Sequence, residues 1–229
     1  AEVYGGAGGD LFHVVLAVEE LAAVDPAVAV VVDVQNALLV TALSEHGTGS
    51  QRRRFLPALA TGTLGAFALS EPDSGSDAFA LASTAEEVEG GYRLTGTKAW
   101  TTNAAEAGLF LVLARVPDRG TTAFLVPASA EGLRVGQRHP KMGIRASSTC
   151  DLELDGVRVG RDDLLGAPGR GEQVATRTLE IGKLGIAAQL VGLAGGALQR
   201  AAEHAAARHQ FGHPIGSYQG IRFPLARLT

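Results

Sequence analysis

The sequence predicts an α+β chain with a helical part at each end and a strand-rich part between them. Apolar residues recur at helical spacing up to about residue 64, and helical spacing returns from about residue 171. Between these positions, short alternating stretches are separated by Gly and Pro. Helical spacing gives one apolar stripe per helix, whereas alternation gives one apolar face per strand. We therefore divide the chain into parts 1–64, 65–170 and 171–229.

The first part is predicted to hold helices over about residues 10–24, 26–45 and 51–60. Asp10 can cap the first helix, and Asp25 followed by Pro26 is a favourable start for the second. The second helix is apolar on nearly all sides, so we expect it to be buried among other helices.

The middle part is predicted to hold strands over residues 65–70, 81–89, 92–98, 109–116, 122–126, 133–137 and 150–159. Gly90 and Gly91 mark a hairpin between the second and third of these strands. Alternation over residues 151–155 indicates that one face is buried. Closely spaced strands with Gly and Pro turns favour a small sandwich or barrel.

The last part is predicted to start with a helix over residues 172–211, which would be about 60 Å long at ~1.5 Å per residue. A helix of this length normally belongs to a bundle. Its glycines weaken helix propensity and allow close helix contact, a bend or a break; they are Gly182, Gly185, Gly192, Gly195 and Gly196. A further amphipathic helix starts near Ser217 and is still under way at Thr229, so we expect the chain to be part of a longer protein.

Composition and charge exclude several classes of protein. A net charge of −4 argues against nucleic acid as the partner, because nucleic-acid binders normally present a basic face. The lone Cys150 allows no intramolecular disulfide and fits the cytoplasm. We expect no signal peptide, and no membrane span, since Asp33, Gln35 and Asn36 interrupt the most apolar stretch.

The most informative loop follows the first predicted strand, over residues 65–77. It carries hydroxyls at Ser70, Ser74 and Ser76, and Gly75 leaves backbone N–H groups accessible. Such a loop can bind an anion or a polar heterocycle, although loops of this composition are more often only turns.

A second segment, residues 94–103, places the only tryptophan at the end of a strand. Trp100 is followed by Thr101 and Thr102, and an aromatic ring beside hydroxyl groups suits a flat ligand with polar edges. A core tryptophan with ordinary strand threonines is the alternative interpretation.

Together these segments resemble the acyl-CoA dehydrogenase family. Residues 70–77 match the family's T-E-P-x-A-G-S-D loop, and residues 95–103 match N-G-x-K-x-[WFY]-I-T-N. Further matches follow in the family's order and spacing, at residues 141–149, 155–159, 164–166, 208–212, 214–215 and 219.

The resemblance implies an α-helical domain, a β-barrel and a four-helix bundle, with FAD between barrel and bundle. The residues it implies at the cofactor are Phe67, Leu69, Ser70, Gly75, Ser76, Trp100, Thr101, Thr102, Arg208, His209, Gln210 and Gln219. Thr102 is implied to bond near flavin N5, and the group from Arg208 to Gln219 to reach the FAD of a neighbouring subunit. For Arg208 the alternative is a cation that stabilises a helix C-terminus.

The resemblance also implies α,β-dehydrogenation of an acyl thioester, with an electron-transfer flavoprotein as acceptor. Ser76, Glu180 and Lys183 are the implied substrate residues. Lys183 stands where the family has arginine, so both CoA and an acyl-carrier protein stay open as the thioester carrier. No catalytic residue is assigned, because no Y-E-G-T segment occurs and Gly182 occupies the other position that relatives use for the base.

Other interpretations remain at this stage. The chain could be a non-catalytic subunit of a heteromer, an acyl-CoA oxidase-like flavoenzyme, or a flavin-free interaction module. The family pattern implies a homo-oligomer, as a dimer or tetramer, or a heteromer. A metal site is not expected, since His204, His209 and His213 lack a carboxylate at ligand spacing.

Overall fold

The computed structural model describes residues 1–228 and confirms the predicted order of helical, strand-rich and helical parts. The helices of the first part are α1 (Leu11–Val24), α2 (Pro26–Asp33), α3 (Thr41–His46) and α4 (Gly49–Ala60). Asp10 caps α1 by accepting from the backbone N–H of His13, and Asp25 caps α2 ahead of Pro26. Both predicted caps are confirmed.

The predicted second helix contains a π-helical stretch, Val34–Val40, between α2 and α3. In this wider turn, side chains donate hydrogen bonds to backbone carbonyls. Asn36 donates to the carbonyl of Val32, and Thr41 donates to the carbonyl of Asn36. Single π turns of this kind often occur at functional sites.

The strands are β1 (Leu64–Ala68), β2 (Thr84–Val88), β3 (Gly91–Thr102), β4 (Ala107–Val116), β5 (Gly120–Pro127), β6 (Leu133–Arg138), β7 (Thr149–Gly160) and β8 (Leu164–Leu165). They form one eight-stranded sheet in the order β6-β7-β3-β2-β4-β5-β8, with β1 also paired to β4. The hairpin at Gly90 and Gly91 is confirmed between β2 and β3.

The prediction of a barrel is wrong in one respect, because the sheet does not close. Within residues 1–228 the end strands β6 and β8 are not paired with each other. Since β1 takes the edge of β4, β2 keeps a single register pair with β4, between Thr84 and Arg115. The strand pairing at the other end of the sheet is also short, because β8 contributes only two residues.

The central strands β4 and β5 are buried on both faces. One face of β4 packs against the helices through Leu109, Leu111 and Leu113. Its other face joins the core formed with β3 and β7 through Phe110, Val112 and Ala114. The sheet therefore curls over an inner core while the helices cover its outer side.

The last part consists of α5 (Gly171–Ala207), a small hairpin of β9 (His209–Gln210) and β10 (His213–Pro214), and α6 (Gln219–Leu228). The long helix ends four residues earlier than predicted, because Arg208 is extended and Phe211 and Gly212 turn the chain with positive φ. The four-helix bundle is thus present only in part.

Helix α5 lies directly on α1 at two glycines. A Cβ atom at Gly192 would collide with the carbonyl oxygen of Glu19, and one at Gly196 with that of Ala23. The predicted use of glycine for close helix contact is confirmed at these positions.

Two helical segments, Pro26–His46 and Gly171–Ala207, are long and apolar enough to cross a membrane by length and composition alone. The core helix of a soluble protein meets the same criteria. In this fold Leu39 and Leu43 of the first segment, and Val174 of the second, pack in the core against the sheet.

Short 3-10 turns complete the fold at Glu2–Tyr4, Arg161–Asp163 and Ile215–Ser217.

Candidate functional site

The loops around Ser70 and Trp100 lie directly against each other. The backbone N–H of Ala99 donates to the carbonyl of Ser70 at 2.8 Å, which joins the loop after β1 to β3. The amide of Asn103 donates to the carbonyl of Gly65 at 3.2 Å and so joins β3 to β1 a second time. We call this contact the loop junction; it consists of residues 65–77 and 98–103.

A buried ion pair holds the loop junction together. Lys98 is fully buried, and its Nζ donates to Glu71 Oε1 at 2.6 Å and to the carbonyl of Leu69 at 3.1 Å. The Glu71 carboxylate also accepts from the backbone N–H groups of Ala82, at 2.6 Å, and Ser83. Each charge therefore has partners in place of water.

The surroundings of Glu71 determine its charge state. Burial alone would raise the pKa of Glu71, but the hydrogen bonds from Lys98 and Ser83 outweigh burial and lower it. Burial lowers the pKa of Lys98, and the bond to Glu71 opposes that change. Because the two groups contact each other at hydrogen-bond distance, we describe them as an ion pair.

Sequence reasoning missed this pair, although both residues lie inside the two motifs. The sequence carries no local signal for it, because Lys98 stands between Thr97 and Ala99 and its burial depends on distant residues.

Trp100 lies in a β-bulge. Lys98 pairs with Leu152 and Thr101 with Cys150, so Ala99 and Trp100 together stand opposite Asp151. Trp100 has φ +57°, which costs on the order of 1–3 kcal/mol for a residue with a side chain. Bulges of this kind redirect a side chain, and here the indole is left 63% exposed.

The predicted cofactor residues of the loop junction differ in their exposure to solvent. Ser70 and Thr102 are partly exposed, and Gly75 and Ser76 are exposed. Leu69 and Thr101 are buried beneath them. Phe67 is partly buried against the helices.

The second predicted group lies elsewhere. Arg208, His209 and Gln210 are exposed just after the C-terminal end of α5, and Gln219 is exposed at the start of α6. The hairpin there is held by its own bonds, from Ile215 N to the Arg208 carbonyl and from Tyr218 Oη to the Gln210 carbonyl. Ala175, which packs in the core against the sheet, is roughly 50 Å away along the helix at ~1.5 Å per residue.

The predicted substrate residues Glu180 and Lys183 are exposed on α5. Arg177 lies 3.9 Å from Glu180 and bonds Glu45 of α3 through two nitrogens, at 3.0 and 3.2 Å. Gly182 is buried, and a Cβ there would collide with Leu38. A carboxylate at position 182 would therefore need Leu38 to move.

Within the described part of the chain, no group of three or more His, Cys, Asp or Glu residues is arranged to hold a metal ion.

The chain matches three domain models of one family. They are "Acyl-CoA dehydrogenase, N-terminal domain" over residues 1–63, "Acyl-CoA dehydrogenase, middle domain" over residues 66–157 and "Acyl-CoA dehydrogenase, C-terminal domain" over residues 169–229. A relative from Dictyostelium discoideum, named "Probable short/branched chain specific acyl-CoA dehydrogenase", is 47% identical over 100% of this chain and 57% of its own length.

Solved structures agree with these matches. Butyryl-CoA dehydrogenase from Megasphaera elsdenii has a TM-score of 0.95 and 37% identity, covering 100% of this chain and 62% of its own. An acyl-CoA dehydrogenase from Bacillus anthracis, described as complexed with FAD, has a TM-score of 0.93 and 35% identity, covering 99% of this chain and 39% of its own.

The helical part, the curled sheet and the long helix have the fold of solved acyl-CoA dehydrogenases, which match this chain with TM-scores of 0.95 and 0.93. The chain belongs to the acyl-CoA dehydrogenase family. It spans about three-fifths of the length of the relatives named first above.

Proposed function

We propose that this protein is an FAD-dependent acyl-CoA dehydrogenase that converts a short or branched acyl thioester to the trans-2-enoyl thioester. The observation that carries the proposal is the loop junction, where the two motifs meet through the Ala99–Ser70 hydrogen bond. The relatives named for short, branched and butyryl substrates support the substrate class.

The residues present fit FAD. The exposed indole of Trp100 offers a flat face, and the exposed turn at Gly75 and Ser76 offers N–H and hydroxyl groups. A Cβ at Gly75 would meet no atom within 4 Å, so the turn is open to a ligand. When bound, FAD supplies the acceptor for the hydride that leaves the substrate β-carbon.

The chain's own residues have distinct proposed roles at the cofactor. Trp100 and Thr102 contact the flat ring, while Ser70, Gly75 and Ser76 bind its polar edge and phosphates. Phe67 supports the ring from the helix side, and the buried Leu69 and Thr101 support the site from below. The glutamate base that takes the α-proton is proposed to lie outside residues 1–229. Glu180, Lys183 and Ser76 are proposed to bind the thioester carrier.

The exposed hairpin is proposed to serve the FAD of a neighbouring subunit in a homo-oligomer. Arg208, His209, Gln210 and Gln219 lie far along α5 from the sheet, and Phe211 beside them is 93% exposed. A guanidinium can donate two parallel bonds to a diphosphate.

Replacing Arg208 tests that role. Arg208→Ala should raise the FAD dissociation constant at least about tenfold, since one bond to a charged group is worth about 1.5–3 kcal/mol. The FAD content per subunit measures cofactor binding, and sedimentation measures the oligomeric state. The matched control is Arg200→Ala in the last turns of α5, where the guanidinium donates to the Val24 carbonyl. Equal FAD affinity in Arg208→Ala and Arg200→Ala would refute the role.

Anaerobic titration of the full-length protein tests the activity itself. The flavin absorbance should bleach with butyryl-CoA or 2-methylbutyryl-CoA, and an electron-transfer flavoprotein should restore it. A colourless protein that takes up no FAD would overturn the proposal. The same titration with a butyryl acyl-carrier protein decides the carrier, which Lys183 leaves open because lysine cannot form a bidentate fork. We also propose a cytoplasmic location, which the single and unpaired Cys150 supports.

A further inference from the structure

Asp151 on β7 lies beside two interruptions of the sheet. On one side, Ala99 and Trp100 of β3 stand opposite Asp151. On the other side, the register with β6 also shifts, so that Gly136 and Gln137 face the same residue. A bulge locally increases twist and re-aims side chains. Two bulges at one position bring the loop after β6 and the end of β3 together around Asp151.

A single carboxylate oxygen connects both sides. Asp151 Oδ1 accepts from the backbone N–H of Trp100 at 3.1 Å and is 2.9 Å from Nε2 of His139. The bulge removes the Trp100 N–H from the ladder, and the side chain of Asp151 takes the place of the missing strand partner. The hydrogen bond with His139 lowers the pKa of Asp151, and the Trp100 N–H adds to that effect.

His139 in turn covers one face of the indole. The rings of Trp100 and His139 are stacked, with centroids 4.4 Å apart and planes inclined by 27°. The backbone N–H of His139 donates to the Thr149 carbonyl at 2.8 Å, so hydrogen bonds hold both the backbone and the ring of this residue. The remaining surface of the indole is open, which accounts for its high exposure.

We infer that Asp151 and His139 are positioning residues that fix the backbone and ring plane of Trp100 and present its free face to the isoalloxazine ring. Asp151 holds the left-handed backbone, and His139 holds the ring. The inference rests on the proposed function for the identity of the ligand, but the order of the indole is independent of any ligand.

An ordinary surface pair would behave differently. A hydrogen bond between partly exposed side chains contributes little to stability, so a purely structural role predicts small effects on both the order of the indole and unfolding. A positioning role predicts a large effect on the order of the indole ring and a small effect on the free energy of unfolding.

The near-ultraviolet circular dichroism of Trp100 measures its order in the full-length protein, as the difference between the parent and Trp100→Phe. Asp151→Leu and His139→Ala should lower this band at least about twofold, since each removes an anchoring contact. His139→Phe keeps a stacked ring and Asp151→Asn keeps an acceptor oxygen, so both should retain most of the band.

The matched control is Glu153→Leu. Glu153 lies two residues further along β7 and forms an exposed pair with Arg134, but it does not contact Trp100. The band should be unchanged in this variant. An unchanged band in Asp151→Leu and His139→Ala, or an equal loss in Glu153→Leu, would overturn the inference.

FAD binding separates this inference from the proposed function. Asp151→Leu and His139→Ala should weaken FAD binding about three- to tenfold, the value of one aromatic contact, with His139→Phe restoring affinity. If the parent binds no FAD, the proposed function fails while the dichroism result still tests the positioning role. If the parent binds FAD and the variants lose the band without losing affinity, the role toward the flavin is refuted.

Discussion

The loop junction and the interface between α2 and α5, which we call the helix interface, each bury one carboxylate, but only the carboxylate in the loop junction has hydrogen-bond donors around it. Glu71 in the junction is 5% exposed and accepts from Lys98 and from two backbone N–H groups. Asp33 at the end of α2 is 2% exposed, and among the described residues its Oδ1 has no hydrogen-bond partner.

The two pKa values follow the partners and not the burial. The pKa of Glu71 is lowered, whereas burial without compensation raises the pKa of Asp33 to about 6. Burial of similar depth therefore has opposite consequences, depending on whether donors face the carboxylate.

Asp33 lies against bare backbone of the long helix. A Cβ at Gly185 of α5 would collide with Asp33 Oδ1. The glycine makes room for the carboxylate but offers no donor to it. At the helix interface the glycine only provides room for the carboxylate, whereas at the loop junction directional hydrogen bonds stabilise it.

The largest expected effect comes from breaking the bonded pair. Lys98→Met should lower the free energy of unfolding by about 3–5 kcal/mol, because it leaves the Glu71 charge buried without its cation. Urea denaturation measures this. The double variant Lys98→Met with Glu71→Gln should recover much of the loss, since no charge then remains. A loss below about 1 kcal/mol in the single variant would contradict the ion pair.

The second effect comes from the buried carboxylate of Asp33, which makes the stability of the protein depend on pH. The folded protein holds the Asp33 proton up to about pH 6 and the unfolded chain only to about 3.8. The parent should therefore lose up to about 3 kcal/mol of stability as pH rises from about 4 to 6. Asp33→Asn should remove this loss and be the more stable protein at pH 7.

Glu71 provides the comparison of opposite sign. Its lowered pKa means that its stabilisation is present above the unfolded value of 4.5 and is lost as pH falls below it. Unfolding curves of the parent and Asp33→Asn at several pH values separate the two residues. A parallel pH dependence in both proteins would contradict the assignment to Asp33.

The smallest expected effect concerns the close contact between α1 and α5. Gly192→Ala should lower stability by about 1–3 kcal/mol, because its Cβ would collide with the Glu19 carbonyl. Gly195→Ala has no atom within 4 Å and should raise stability by about 0.5–1 kcal/mol through helix propensity. Thermal unfolding of both variants compares them, and equal shifts would show that α1 and α5 are not in close contact.

Local features were readable from the sequence. The cap at Asp10, the Pro26 start and the Gly90–Gly91 hairpin depend on residues that are neighbours in the chain, and all are confirmed. The two motifs and their family were also readable. The boundaries of the three parts and the cofactor roles of the predicted residues stay predictions.

Features that depend on distant residues were not readable. The π-helical stretch and the sheet that stays open reflect competition between elements, such as β1 taking the edge of β4. The left-handed Trp100 is matched by an acceptor on Asp151, 51 residues away. No local pattern around Trp100 contains that partner.

The sequence by itself determined the succession of helices and strands, the family and the residue types of the candidate site, because those depend on short-range periodicity and motif chemistry. The tertiary structure decided which charges found partners, which glycines touch a backbone and where the sheet ends. Those outcomes depend on which distant atoms come into contact, since the energy of a buried polar group is set by the atoms beside it.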